Sequence, residues 1–175
     1  MAEYIEPVYA QGFFIVTKSG LVHQVVIFDY YDPEGYYFDI MEDEVALNNE
    51  VEFLKDSMQA ILDQEKVVIN GARTKPKVID VDIGFRSSSV RPFLTFFIIF
   101  KGDFKNGVNV YENWYESEEA EYDFDAYWFF PPGAEVLEVI ASGATEIFGN
   151  KNILAISVKR RERITGYEKI VFKIS

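Results

Sequence analysis

The chain has 175 residues, no cysteine and a formal net charge of −12 at pH 7. The lack of cysteine excludes disulfides, thiolate metal sites and a cysteine nucleophile, and the acidic charge disfavours a nucleic-acid partner because it repels phosphate backbones. The longest apolar runs, such as 93–100, are too short to cross a bilayer as helices, and no basic leader precedes the first apolar stretch, so we expect a cytoplasmic protein without a membrane partner.

Short runs rich in valine, isoleucine, phenylalanine and tyrosine alternate with turn residues, a pattern typical of antiparallel sheets. The pattern predicts strands at 12–18, 21–30, 36–41, 77–85, 93–101, 107–115, 121–130, 134–141, 145–148, 152–159 and 167–174. Glycine, asparagine and proline at 18–20, 32–35 and 105–107 predict hairpin turns, since these residues supply the backbone conformations that tight connections need.

One amphipathic helix interrupts the strands. Apolar residues recur at three- and four-residue steps and predict a helix at about 45–66, with Leu54 and Ile61 on its apolar stripe. Asn49 is a suitable N-cap, because Glu52 three residues later completes a capping box. The sequence therefore predicts an α+β fold, mainly an antiparallel sheet or sandwich, with this helix packed on one sheet face.

Residues 121–130 are the most regular strand of the chain. Alternation places Trp128 and Phe130 on one face and Tyr127 and Phe129 on the other. Because both faces end in aromatic residues, we expect the end of this strand to be covered on both sides.

The segment 101–107 is the one candidate domain boundary. It is short enough to be a hairpin loop joining the strands 93–101 and 107–115, which favours a single compact domain spanning 1–175. The alternative is an α+β part at 1–104 followed by an all-β part at 105–175.

The loop 84–92 is the sharpest candidate binding site. Two guanidinium groups flank three hydroxyls and a run of backbone amides, which are the donors that hold a carboxylate or a phosphate. An ordinary connecting loop has the same composition when its arginines pair with nearby acidic residues. The candidate residues for an anion or small ligand are Arg86, Ser87, Ser88, Ser89 and Arg91.

Opposite charges and aromatic residues suggest an association surface. Residues 111–125 carry seven acidic side chains and no basic one, whereas 159–163 carry four basic side chains. The two segments suit each other within one chain or between two copies, and tryptophan and tyrosine are enriched at interfaces. The candidate interface residues are Trp114, Tyr115, Arg160, Arg161 and Arg163.

The remaining candidates have ordinary structural readings. His23, the single histidine, is expected on an inward strand face, and Asp80 and Asp82 alternate with apolar residues as a half-exposed strand does. With no motif for a metal, nucleotide or nucleophile, we predict neither cofactor nor metal.

Three functions remain, in descending order of support. The first is a non-catalytic protein that acts by self-association, as a homodimer, or by binding another protein. The second is a module that holds an apolar or anionic ligand between sheet and helix, and the third is a carboxylate-dependent hydrolase.

Overall fold

The computed structural model describes residues 4–175. Strands make up most of it, in the chain order β1 (Glu6–Val16), β2 (Leu21–Tyr31), α1 (Tyr36–Ile40), α2 (Glu44–Gln64), β3 (Lys66–Ile69), β4 (Ala72–Thr74), β5 (Lys77–Phe85), β6 (Pro92–Lys101), β7 (Gly107–Trp114), β8 (Glu118–Glu119), β9 (Asp123–Phe129), β10 (Glu135–Ile140), β11 (Ala144–Phe148), β12 (Ile153–Val158), β13 (Arg163–Ile164) and β14 (Tyr167–Ile174). The predicted α+β class is confirmed.

Two sheets hold most of the strands. The larger has seven strands in the order β11-β12-β9-β1-β2-β6-β5, and the smaller has five in the order β10-β14-β7-β3-β4. A short pair, β8 with β13, stands apart from both. Neighbouring strands run antiparallel, except that β1 and β9 run parallel.

The helix predicted at 45–66 is confirmed as α2, but its N-cap is not Asn49. The helix begins earlier, where the Asp43 carboxylate accepts hydrogen bonds from the backbone amides of Val45 and Ala46, both at 3.0 Å. These bonds satisfy amides that a helix N-terminus leaves without intrahelical partners. Asn49 therefore lies within the helix.

The strand predicted at 36–41 is wrong, because this segment forms the short helix α1. Tyr37 and Ile40 are its buried residues, and their spacing of three places them on one helical face. The turn at 32–35 consequently leads into a helix rather than a hairpin, and the buried Asp32 carboxylate accepts a 2.9 Å hydrogen bond from the Tyr37 amide.

The five-stranded sheet and helix α2 both pack on the same face of the seven-stranded sheet and form a second layer. The five-stranded sheet covers part of this face through an apolar cluster that includes Val22, Trp128 and Phe172. Helix α2 covers another part through a cluster that includes Leu54 and Phe96. The opposite face, which we call the outer face, carries neither layer.

The hairpin predicted between β6 and β7 is wrong. Strand β6 lies between β2 and β5 in the larger sheet, whereas β7 lies between β14 and β3 in the smaller one, so residues 102–106 cross between the layers. The apolar cluster between the sheets joins Phe100 to Phe172, from both sides of position 104. A single domain stays a prediction, and this shared cluster favours it.

Gly20 in the β1–β2 turn is a position where we expect a large response to one methyl group. Its φ is +94°, and a Cβ there would overlap the carbonyl oxygen of Gly102. Gly20→Ala should therefore lower the free energy of unfolding by about 1 to 3 kcal/mol in urea denaturation. Gly71→Ala is the control, because Gly71 also has a positive φ, +81°, but open space around it. Equal losses for both variants would mean that the Gly102 contact is unimportant.

Candidate functional site

The serine-rich loop connects β5 to β6 and is closed by its own backbone. The Arg86 amide donates to the Arg91 carbonyl and the Arg91 amide to the Ser88 carbonyl, both at 3.0 Å. The Ser88 hydroxyl accepts a 3.3 Å hydrogen bond from the Val90 amide. Several groups that an anion would need are thus already engaged inside the loop.

The two arginines of this loop lie against aromatic rings. Arg86 donates from Nε to the Asp29 carboxylate at 2.8 Å, and its guanidinium lies 4.0 Å above the centre of the Phe93 ring. The Arg91 guanidinium lies 5.1 Å from the centre of the Tyr31 ring. The pairing of Arg86 matches the ordinary reading of the loop, and anion binding here stays a prediction that rests mainly on Arg91.

The basic segment 159–163 packs on the acidic segment of its own chain. Arg163 lies opposite Glu119 in the β8–β13 pair, and Lys159 Nζ lies 3.7 Å from the Asp123 carboxylate. The Arg160 backbone amide also donates to Asp123, at 2.8 Å. The charge complementarity that suggested an electrostatic dimer is therefore used within one molecule.

The five candidate interface residues do not form one surface. Trp114 lies beside the Tyr167 ring, and Lys66 Nζ lies 5.1 Å from the centre of the Trp114 ring. Tyr115 instead packs near Ala120 and Ile164, in a small separate cluster. Alternation along the chain explains the split, because neighbouring residues project to opposite sides.

The single histidine is exposed, so the inward position expected for His23 is wrong. His23 lies opposite Ile15 and Ile99 on the outer face. Asp80 and Asp82 are exposed on the same face, as their half-exposed strand predicts. Among residues 4–175 no group of three or more histidine, aspartate or glutamate side chains is arranged to hold a metal.

The outer face is apolar over most of its width, a feature that strand alternation alone did not predict. Phe129 shows the error most directly, since it was expected to be covered and is 38% exposed. Phe13 stacks on Tyr127 and Phe129, with ring centres 5.6 and 6.5 Å apart. The strand registers place these apolar side chains on the same face: Phe13, Ile15, Val25, Ile27, Phe97, Ile99, Tyr127, Phe129, Phe148, Ile153 and Ala155.

The two ends of the outer face differ in charge. At the end near Tyr9 lie Asp29, Asp82, Asp123 and Asp125, of which Asp29 pairs with Arg86 and Asp123 with Lys159. Burial alone would raise the pKa of Asp125. Hydrogen bonds from Ser157 and Tyr9 nevertheless hold this pKa below its ordinary value, so the carboxylate stays charged. At the opposite end lie His23, Lys77 and Lys101.

A second polar cluster lies on the inner face of the five-stranded sheet. Glu65, which follows α2, accepts a 3.0 Å hydrogen bond from Asn113 Nδ2. Asn113 lies between Val67 and Glu168 in the strand register and is 8% exposed. Burial, together with the nearby Glu65 carboxylate, raises the pKa of Glu168 to about 7.

Glu65 and the surrounding tyrosines have shifted pKa values for related reasons. Burial raises the pKa of Glu65, and the hydrogen bond from Asn113 opposes that shift. Burial and the Glu168 carboxyl raise the pKa of Tyr115 to about 12. The pKa of Tyr111 is raised by the same two causes. A buried carboxyl group whose pKa is raised to near neutral, as for Glu168, marks a candidate functional site on physical grounds.

Comparison with known proteins identifies no family. No protein family and no curated protein matches the chain. Among solved structures it resembles a two-domain M1 zinc metallopeptidase mutant bound to L-tryptophan, with 9% identity, 97% of this chain and 43% of that chain covered, and a TM-score of 0.39. The M1 zinc metallopeptidase from Deinococcus radiodurans is similar at 8% identity, 97% and 42% coverage and a TM-score of 0.39.

The chain thus spans less than half of these peptidases. Identity and TM-scores this low establish neither a shared fold nor a shared activity. No helix within residues 4–175 has the length and apolar character needed to cross a membrane.

Proposed function

We propose that this protein acts through self-association, with the outer face of the seven-stranded sheet as the contact surface and a second copy of the chain as the partner. The observation that carries the proposal is a sheet face that is apolar across β11, β12, β9, β1, β2 and β6 and has no covering layer among residues 4–175. Exposed apolar surface of this extent is typical of protein interaction sites. The predicted cytoplasmic location remains part of this proposal.

The size of the outer face suits a dimer. Seven strands about 4.8 Å apart give a width of roughly 30 Å. Four outward side chains about 7 Å apart along β9 give a length of roughly 20 to 25 Å, and hence an area of about 700 Å². Stable interfaces bury about 800 Å² on each partner. Two sheets stacked about 10 Å apart would interleave these side chains as in a β-sandwich.

Charge favours a copy of the same chain as the partner. A two-fold axis perpendicular to the strands would place the acidic end of one outer face over the basic end of the other. Asp82 would then lie near Lys77 and Lys101 of the second copy, because this axis places β5 over β5, and no described residue forms an ion pair with Asp82. Such isologous contacts are the commonest arrangement in homodimers.

The region between the seven-stranded sheet and α2 is filled by side chains, which favours association over binding of a ligand there. Leu54, Leu62, Leu94 and Ile98 are buried there in one packed cluster. Such packing leaves the proposed ligand little room in that position. The outer face is therefore the better supported site of action.

The test is a charge placed within the apolar part of the outer face. We expect sedimentation at micromolar concentration to give a dimer of the 20.2 kDa chain, and Phe129→Asp to weaken it by a hundredfold or more, because an unpaired carboxylate would be buried at the interface. Phe129 is partly exposed in the monomer, so the substitution should leave the fold intact. Added salt should change the dimer little, since the contact is mainly apolar.

Phe53→Asp is the matched control, because Phe53 is exposed on α2, away from the outer face. It should sediment like the wild type. A wild-type monomer throughout the concentration range, or a Phe129→Asp variant that dimerises as tightly as Phe53→Asp, would show that the outer face is not a self-association surface.

A further inference from the structure

Three oxygen acceptors lie together where α2 meets the five-stranded sheet. They are the carboxyl groups of Glu65 and Glu168 and the side-chain amide oxygen of Asn113. Asn113 Oδ1 is buried and has no hydrogen-bond partner among the described residues. The two polar atoms of one amide are only about 2.2 Å apart, so this oxygen lies close to the Glu65 carboxylate that Nδ2 contacts.

The donors within the cluster are few: Asn113 Nδ2 donates to Glu65, and a side-chain hydrogen bond links Tyr111 to Asn113. The Glu168 side chain forms no hydrogen bond or ion pair with any residue of 4–175. Lys66, the base next in sequence to Glu65, lies over the Trp114 ring, and Lys169 lies 3.5 Å from Glu138. A buried acceptor without a donor is costly, so Asn113 Oδ1 and the neighbouring carboxyl groups would gain from an additional donor.

A recess of about 540 Å³ opens beside this cluster. Its lining combines acidic and apolar side chains, with no basic one: Ile61, Gln64, Glu65, Tyr115, Glu116 and Glu118. Ile61, an apolar residue that is 55% exposed, faces this space. Acidic walls with an apolar side chain suit a ligand that carries positive charge on a short hydrocarbon chain.

We propose that this recess binds an alkylammonium group, such as an aliphatic amine or a lysine side chain, with Glu65 as its principal carboxylate and with Glu168 and Asn113 behind it. The ammonium group offers three N–H donors and no acceptor, which matches a cluster of oxygen acceptors. The methylene groups would lie on Ile61 and Tyr115. A divalent metal fits less well, because hard cations take six or more oxygen ligands.

The proposal gives a definite pH dependence. The groups that face Glu168 are Glu65 after α2, Tyr111 and Asn113 on β7, and Tyr115, and the pKa values of Glu65 and both tyrosines are raised by burial. Lowering the pH from 8 to 5 protonates Glu168, while the tyrosines stay neutral. An ammonium group should therefore bind more weakly at pH 5 than at pH 8.

The probe is 1,4-diaminobutane, titrated at pH 8 with the ionic strength held constant by sodium chloride and followed by calorimetry and by the thermal midpoint. We expect saturable binding that Glu65→Gln weakens by about tenfold or more, as for the loss of a charge-assisted hydrogen bond. Glu52→Gln, on the exposed side of α2, should bind like the wild type. Magnesium chloride of equal ionic strength should give no saturable signal.

Absence of saturable binding would overturn the proposal, as would equal affinity of Glu65→Gln and Glu52→Gln. Saturable magnesium binding that Glu65→Gln abolishes would overturn it in favour of a metal site. Phe129→Asp should bind the diamine as the wild type does, so the recess is tested independently of self-association.

Discussion

Leu54→Ala is expected to lower the free energy of unfolding by about 2 to 5 kcal/mol, because it leaves a cavity under α2. Leu54 is 4% exposed and belongs to the apolar cluster that joins α2 to the seven-stranded sheet. Ile61→Ala, in the same helix, should cost no more than about 0.5 kcal/mol, since Ile61 is 55% exposed. Urea denaturation measures both.

These two variants form a matched pair, because each replaces an aliphatic residue by alanine inside one helix and changes helix propensity by a similar small amount. A large loss for Ile61→Ala would mean that the recess beside it is closed in solution. Small losses for both would mean that α2 does not pack on the sheet.

Leu54 is buried and Ile61 is exposed, although helical periodicity places both on the apolar stripe of α2. Seven residues separate them, so they share nearly one face of the helix, and the sequence predicts both as buried. At its C-terminal end, however, α2 is anchored on the β5 side, where Gln59 donates to the Pro76 carbonyl at 3.0 Å and accepts from the Val78 amide at 2.9 Å. The adjoining side faces the recess, which no periodicity reveals.

The strand pattern predicted the fold class well and the pairing poorly. Alternation identified β2, β5, β6 and β14 within a residue or two, because each has a continuous buried face. The β6–β7 hairpin was wrong because a short loop fits a layer crossing as well as a hairpin. The short strands β3, β4, β8 and β13 went unpredicted, since two to four residues are too few to show alternation.

The outer face could not be recognised from sequence for a related reason. In β1, Phe13 and Ile15 alternate with Phe14 and Val16, so both sides of the strand are equally apolar. Such a run is typical of a strand covered on both faces. Only the positions of α2 and the five-stranded sheet, both on the side of Val16, show which face lacks a covering layer.

The carboxyl cluster was hidden by distance along the chain. Glu65 and Asn113 are 48 positions apart, and Glu168 is brought beside Asn113 only by the β7–β14 register. None of the three belongs to a motif, and the third hypothesis lacked a carboxylate pair marked by spacing. The structure brings such a pair together, and the hydrolase remains the third prediction.

Glu168→Gln is expected to stabilise the protein at pH 8 by roughly 3 kcal/mol and to leave it nearly unchanged at pH 4. Burial and the Glu65 carboxylate raise the pKa of Glu168 from 4.5 to about 7 in the folded state. The folded protein therefore holds this proton more tightly than the unfolded chain does. Wild-type stability should fall as the pH rises from about 4.5 to about 7, and then level off as far as this group is concerned.

Glutamine keeps the shape of the side chain but cannot ionise, so the variant should lack this pH-dependent loss. Its amide also supplies an N–H donor for the unpartnered Asn113 Oδ1. The measurement is urea denaturation at pH 4, 6 and 8, with Glu135→Gln as the control, because Glu135 is exposed on β10. A difference between Glu168→Gln and wild type that stays constant from pH 4 to pH 8 would show that Glu168 titrates alike in the folded and unfolded states.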